Sequence, residues 1–294
     1  MAARSPLANF VKMHGAGNDF VILDAREGDL DLSPARIMAL ADRRRGIGCD
    51  QLILLHPPRH PGAAVAMRIF NPDGSPSDVC GNATRCVASL VAAEQGQTQL
   101  GIETPAGLLQ ADCLADGRVR VDMGAPRLGW QDIPLTRPCD TLHLALPQDA
   151  AAVSMGNPHA TLFTHALEDA DIASLGPALE RHDLFPHGAN IGFARIEAPD
   201  RIRLRVWERG AGLTLACGSG ACAALVNAHR RGLAGRAARL VLDGGELDIL
   251  WQPSGSGPSG EGPDEGPDAE GHVLMTGPVA TSFQGRVDLS TYPP

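Results

Sequence analysis

Met67-Arg68-Ile69-Phe70-Asn71 is followed, nine residues after its asparagine, by Cys80-Gly81-Asn82-Ala83. Leu204-Arg205-Val206-Trp207-Glu208 is followed, nine residues after its glutamate, by Cys217-Gly218-Ser219-Gly220. Both segments repeat at an offset of 137 with no gap. At the neighbouring offset of 139, Gly17-Asn18-Asp19-Phe20 matches Gly156-Asn157-Pro158-His159, and Asp50-Gln51-Leu52-Ile53 matches Ala189-Asn190-Ile191-Gly192. A chain that doubles itself in this way reads as two similar domains, each carrying one thiol, which can face each other across a cleft.

The pattern around the repeat gives the fold class. In the first half, Phe20–Leu23, Leu52–Leu55 and Val65–Phe70 read as strands. Ser33-Pro34 opens a helix through about Asp42, with serine as cap and proline in the first turn. Val87, Leu90 and Val91 have helical spacing after Cys80, and 108–111 with 119–123 forms a hairpin around Asp116-Gly117. The second half echoes this order. Strands are expected at 160–163, 193–196, 202–207, 240–242 and 246–251, with helices at 171–181 and after Cys217. The expectation is an α+β fold of two pseudosymmetric domains, each a mixed β-sheet around a central helix. The first domain spans 1–124 plus a returning tail, 281–294, and the second spans 125–280.

Composition narrows the class. The 294 residues are 44% hydrophobic, enough for two folded cores. The net charge of −9 argues against a nucleic-acid partner. Five of the acids fall in segment 253–272, which is rich in Gly, Pro and Ser and contains no Lys or Arg. It separates two apolar runs, 247–251 and 273–275, and reads as a disordered, overgrown hairpin loop inside the second domain. Seven cysteines in no framework spacing, no signal segment and no bilayer-length apolar run point to a reducing cytoplasm and no membrane partner. Lys12 is the only lysine and lies outside both cysteine motifs, so a pyridoxal phosphate Schiff base is not expected.

Each motif cysteine precedes a glycine, small polar residues and an apolar helix, so both thiols belong at helix N-termini. The macrodipole there favours a thiolate, and the same amides can hold a carboxylate. Two such thiols, one on each face of an α-carbon, can remove a proton and return it on the opposite face without a cofactor. His159 and Glu208 stand where the first half has Phe20 and Asn71, a difference between the halves in groups able to move protons.

In these motifs and their order the chain resembles the diaminopimelate epimerases. The resemblance runs from Phe10 to Val287, apart from segment 253–272. It includes 13–20, 46–51, 71–75, Cys80-Gly81-Asn82, Arg85, 103–107, 156–159, Asn190, 208–212 and 216–220. The resemblance implies Cys80 and Cys217 as the acid/base pair, with His159 and Glu208 supporting their proton transfers. It implies Gly81, Asn82, Gly218 and Ser219 as holders of the reacting carboxylate. Asn18, Gln51, Asn71, Asn157, Asn190 and Arg209 would hold the rest of a diamino-diacid substrate. It also implies a site in the cleft between the domains, no metal, no cofactor, a homodimer and a place in lysine and peptidoglycan precursor synthesis. Cys49, Ala83 and Leu213 depart from the family's usual Ala, Gly and Glu; Cys49 would be a third oxidisable thiol near the site.

Other readings are weaker. A buried structural role suits Cys86, Cys113, Cys139 and Cys222. Zinc ligation by Cys80, Cys86, Cys217 and Cys222 would need unusually wide in-pair spacings. Gly210-Ala211-Gly212 and Gly218-Ser219-Gly220 do not complete a dinucleotide fingerprint. Within the same fold, a racemase of another amino acid, or an isomerase or binding protein that does not use two thiols, remains the alternative.

Overall fold

A computed structural model describes residues 7–77, 80–146, 148–167, 171–252 and 271–293. Segment 253–270 of the expected acidic loop lies outside the described residues. The chain divides into two compact units, 1–121 with 277–294, and 122–276.

The first unit forms where the sequence punctuates it. Helix α1 (Pro34–Ala41) starts at Ser33, whose hydroxyl accepts from the Arg36 amide. Such a cap contributes about 1 kcal/mol. Helix α2 (Gly81–Gln95) begins at Cys80 and ends at Gly96, whose φ of 65° lies in the left-handed region that favours glycine. Around α2 runs a mixed sheet. Ala280–Asp288 pairs antiparallel with Leu7–Gly15, which pairs antiparallel with Asn18–Asp24. That strand runs parallel to Gln51–His56, which is antiparallel to Val65–Phe70. Val65–Phe70 runs parallel to Gln99–Thr104, and an antiparallel pair, Gly107–Cys113 and Val119–Asp122, follows. Val21, Leu23, Ile37, Leu40, Leu52 and Leu54 form one buried cluster of this unit.

The second unit repeats the pairing sequence. Ala150–Ser154 is antiparallel to Pro158–Phe163, which is parallel to Asn190–Ala198. Arg201–Glu208 follows antiparallel, then Ala237–Leu242 parallel, then Gly245–Trp251 and Val273–Gly277 antiparallel. Helix α3 (Ile172–Glu180), capped by Asp171, occupies the place of α1, and α4 (Gly218–Arg230) that of α2. Ala221, Ala224, Leu225 and Ala228 are fully buried, as their helical spacing predicts. Helix α4 packs against six strands of its own unit, which makes it the central helix of that sheet. Two units with one strand order, helix placement and pairing sense are the α+β pseudosymmetry that the repeat implies.

Six of the described strands had no counterpart in the sequence expectation: Leu7–Gly15, Pro76–Ser77, Gln99–Thr104, Ala150–Ser154, Gly212–Thr214 and Ala280–Asp288, the last lying in what was expected only as a returning tail. Among the described residues no helix is long and apolar enough to cross a membrane.

Candidate functional site

In the first unit, Leu7–Gly15 and Asn18–Asp24 are joined by a two-residue turn, Ala16-Gly17, with φ of 54° and 85°. Positive φ at both central positions marks the type I′ hairpin, whose twist matches the strands it joins. This turn delivers Asn18 to the start of α2. Asn18 Oδ1 lies 3.8 Å from Cys80 Sγ and accepts from Asn82 Nδ2 at 3.2 Å. Asn18 Nδ2 donates to Asp50 Oδ2 at 3.0 Å. Cys80 takes the N-cap position with extended backbone (φ −146°, ψ 104°), and its side chain makes no capping bond. Its carbonyl accepts from Thr84 N, so the amides of residues 81–83 stand outside the helical ladder. Asn82 is buried.

Gln51 and Asn71 meet on neighbouring strands, Gln51 Nε2 donating to Asn71 Oδ1 at 3.0 Å. Asn71 Nδ2 is held by Ser75 Oγ at 3.1 Å. Register sets this row: Phe20 pairs with Gln51, and Leu52 with Phe70, which puts Gln51 level with Asn71.

The same row exists in the second unit with different chemistry. His159 pairs with Asn190, and Ile191 with Trp207, which puts Asn190 level with Glu208. His159 is 1% exposed, and its Nε2 lies 2.8 Å from Asn157 Oδ1. The tautomer that satisfies this contact has its hydrogen on Nε2, donating to the Asn157 oxygen. Burial first, and then the positive Arg209, push His159 down to about 3, so the ring is neutral near pH 7. Asn190 is buried, donating to Pro158 O at 3.1 Å and accepting from Arg209 N at 3.0 Å. It therefore clamps the strand end that carries Arg209. The Arg209 guanidinium donates to His187 O at 3.0 Å, and the residue is exposed, with no ion pair among the described residues. That leaves it able to take a carboxylate.

Cys217, buried, is the N-cap of α4 with extended backbone (φ −120°, ψ 109°) and again no capping bond from its side chain. Its Sγ lies 3.7 Å from Ser219 Oγ. Ala221 N bonds to Cys217 O, so the amides of 218–220 stand outside the ladder as those of 81–83 do.

Thus Cys80, Asn18 and Asn82 form one cluster, Gln51 and Asn71 a second, and His159, Asn157, Asn190 and Glu208 a third. The sequence reading missed three residues that hold these clusters. Asp50 holds the Asn18 amide. Thr214 donates to Glu208 Oε1 at 2.5 Å. Glu180 accepts from Trp207 Nε1 at 2.7 Å and Gly210 N at 3.1 Å, bracketing Glu208 and Arg209. Asp50 adjoins Gln51 in a repeated motif, which was a usable signal; Thr214 and Glu180 carried none. Cys49 is 2% exposed, and burial pushes its thiol up to about 11, which leaves it protonated and shielded rather than reactive. A groove of about 710 Å³ in the second unit, walled by residues such as Leu142, Phe163, Leu175 and Leu233, contains none of the expected site residues.

Comparison with known proteins fits this arrangement. The sequence profile of the family described as diaminopimelate epimerase matches residues 10–129 and 151–264. The diaminopimelate epimerase of Acidiphilium cryptum (strain JF-5) is 58% identical, with 100% of each chain covered. That of Rhodospirillum centenum (strain ATCC 51521 / SW) is 56% identical over 97% of this chain and 94% of its own. Among solved structures, a hydroxyproline epimerase from Agrobacterium vitis superposes with a TM-score of 0.67 at 15% identity, covering 96% of this chain and 92% of that one. At that identity the likeness concerns the fold alone. With near-complete coverage by relatives above half identity, the chain belongs to the diaminopimelate epimerase family.

Proposed function

We propose that this enzyme is an isomerase that interconverts LL- and meso-2,6-diaminoheptanedioate by two-base proton transfer at Cα. The observation that carries the reading is a cysteine at the N-cap of each central helix, in a chain 58% identical over its full length to a diaminopimelate epimerase. One sulfur, as thiolate, takes the α-proton. The other, as thiol, returns a proton to the opposite face, and the roles exchange for the reverse reaction. The count balances: one proton leaves Cα, one arrives, and the two sulfurs exchange protonation states. No redox step occurs, and the chemistry needs no metal and no cofactor.

The amides of Gly81, Asn82, Gly218 and Ser219 hold the reacting carboxylate, whose negative charge grows as the proton leaves. Helix N-termini suit that charge, and donors of this kind contribute about 10²–10³-fold each. His159, neutral through burial, and Glu208, held by Thr214, tune the proton transfers. Arg209 takes the distal carboxylate, and Asn18, Gln51, Asn71, Asn157 and Asn190 complete the polar frame. A polar frame of this kind rejects amino acids that lack the second carboxylate, because its donors would be left unpaired. We further infer a cytoplasmic homodimer serving lysine and peptidoglycan precursor synthesis, supported by the family and by the cysteine usage.

The test is proton exchange in D2O under reducing conditions, with LL- and meso-diaminopimelate beside single-carboxylate amino acids. Exchange and epimerisation of diaminopimelate alone, reduced at least about 10³-fold in Cys80→Ala and in Cys217→Ala, is the expected result. Retention of turnover by either folded variant refutes the two-thiol mechanism. Turnover of a single-carboxylate amino acid instead refutes the substrate.

A further inference from the structure

Asn18 sits between a carboxylate and a thiol. Its Nδ2 is 3.0 Å from Asp50 Oδ2, and its Oδ1 is 3.8 Å from Cys80 Sγ and 3.2 Å from Asn82 Nδ2. An amide's oxygen and nitrogen are alike in shape, so its orientation is settled by its partners. A carboxylate only accepts. Turning the Asn18 amide over would set its oxygen against Asp50 Oδ2 and leave two acceptors in contact.

Asp50 itself is tightly fixed. Its Oδ2 also accepts from Asp19 N at 3.0 Å, and its Oδ1 accepts from Arg43 Nη2 at 2.6 Å. Asp50 N in turn donates to Asp19 Oδ1 at 2.9 Å. Asp19 is tied to Arg43 and to Lys12, the chain's only lysine, which is buried and also donates to the Gly48 carbonyl. Burial pushes the Asp19 carboxyl up, but Arg43 and Lys12 outweigh it and hold the group well below the usual carboxylate range. The anchor is therefore ionic, with its Lys12–Asp19 end buried and its Arg43–Asp50 end facing solvent.

We propose that Asp50 is a positioning residue for Cys80: it locks the Asn18 amide with its oxygen turned to the sulfur, so that Cys80 is held as an S–H donor. A thiol donates to that oxygen, whereas a thiolate would face the negative end of the amide dipole. The effect opposes the pull of the α2 N-terminus toward thiolate. The charged or titratable groups on the elements forming this cluster are Lys12 and His14 on Leu7–Gly15, Asp19 and Asp24 on the next strand, Arg43, Asp50 and, within α2, Arg85, Cys86 and Glu94.

The second half lacks the device. Ala189 stands where Asp50 does in the repeat, and Asn157 turns its oxygen to His159 Nε2. One neighbour of Cys217 is Ser219 Oγ at 3.7 Å, a hydroxyl able to donate to a thiolate. A two-base epimerase needs its thiols in unlike states at rest, and these unlike neighbours supply a cause.

The inference rests on the two-thiol reading, but its test does not need turnover. The rate of Cys80 alkylation by iodoacetamide is followed by peptide mass spectrometry from about pH 6 to about pH 10, across the ordinary thiol range. Four reduced proteins are compared: wild type, Asp50→Asn, Asn18→Ala and the double variant. Asp50→Asn lets the amide turn over, and the midpoint for Cys80 should fall by about one pH unit, roughly ten-fold more thiolate at neutral pH. In the Asn18→Ala background, Asp50→Asn should then shift it no further. An equal shift in both backgrounds means that Asp50 acts through space by its charge, and overturns the proposal. If Asp50→Asn does not fold, Asn18→Ala alone decides, since an unchanged midpoint refutes it. Failure of the two-thiol reading would show separately, as turnover retained by Cys80→Ala.

Discussion

His159 is a buried ring whose protonation folding forbids. Unfolded, it takes a proton near 6.5, and folded only near 3, because burial and then Arg209 oppose the charge. Between those values the unfolded chain binds one proton more than the folded chain. Stability therefore falls as pH drops through this window and is unaffected by His159 above it. His159→Phe restores the residue found at Phe20 in the first half and removes the term. Relative to wild type, its stability should gain about 1.4 kcal/mol per pH unit below about 6.5. Urea unfolding of both proteins at about pH 7.5 and pH 5 reads this directly, and a constant difference at the two pH values refutes it. Epimerisation by the variant should fall about 10²-fold or more. The residues proposed to carry the chemistry were legible in the sequence because a repeat marks its own exceptions: His159 against Phe20, Glu208 against Asn71. Of the residues that hold them, only Asp50 was marked, by its place beside Gln51 in the repeat. Thr214 and Glu180 act through contacts set by strand register and chain folding, and no short spacing records those.

At the scale of the element, both central helices start on a residue that caps poorly. Cys80 makes no side-chain capping bond, where serine would accept from a first-turn amide. Cys80→Ser should therefore hold or raise stability by about 0.5–1 kcal/mol while abolishing epimerisation. Thermal melting beside the D2O exchange assay checks it, and a loss of stability with activity kept would contradict both halves. Helix α3 gives the opposite case. A Cβ on Gly176 would lie 2.5 Å from the Trp207 ring, which is pinned by Glu180 on the same helix. Gly176→Ala should cost about 1–3 kcal/mol by overpacking, and should raise KM through displacement of Glu208 and Arg209. Unchanged melting and KM would show that Trp207 yields freely. Helices and the longer apolar strands were readable because cap, period and breaker are local. Ala150–Ser154 was not: its alanines have low strand propensity, and the strand exists because it is buried between Pro158–Phe163 and α4. Leu7–Gly15 pairs on one edge with the neighbouring Asn18–Asp24 and on the other with Ala280–Asp288, a partner remote in sequence.

At the scale of the molecule, the duplication extends beyond sequence into register. Phe20, Gln51 and Asn71 occupy one level of the first sheet, and His159, Asn190 and Glu208 the matching level of the second. The repeated offsets of 137 and 139 differ by the residues that loops between these strands add or drop, so pairing is preserved while connections vary. The longest such variation is the Gly-, Pro- and Ser-rich segment between Trp251 and Val273. These two residues pair directly, Gln252 N donates to His272 O at 2.9 Å, and Trp251 Nε1 donates to Gly271 O at 2.8 Å. The hairpin is thus closed by residues flanking the insertion. His272 adds a bond to Asp122 at 2.7 Å from the same flank. Loop length enters stability only logarithmically, at about 0.6 kcal/mol per doubling. Replacing 254–270 by a short Gly-containing turn, with Gly271 and His272 kept, should leave turnover within about two-fold. The gain in stability should be no more than about 2 kcal/mol, from the shorter closure. Steady-state kinetics and urea unfolding of the shortened chain test this. A ten-fold fall in turnover with folding intact would assign the acidic segment a part in catalysis, whereas a large loss of stability would place its contribution in the fold.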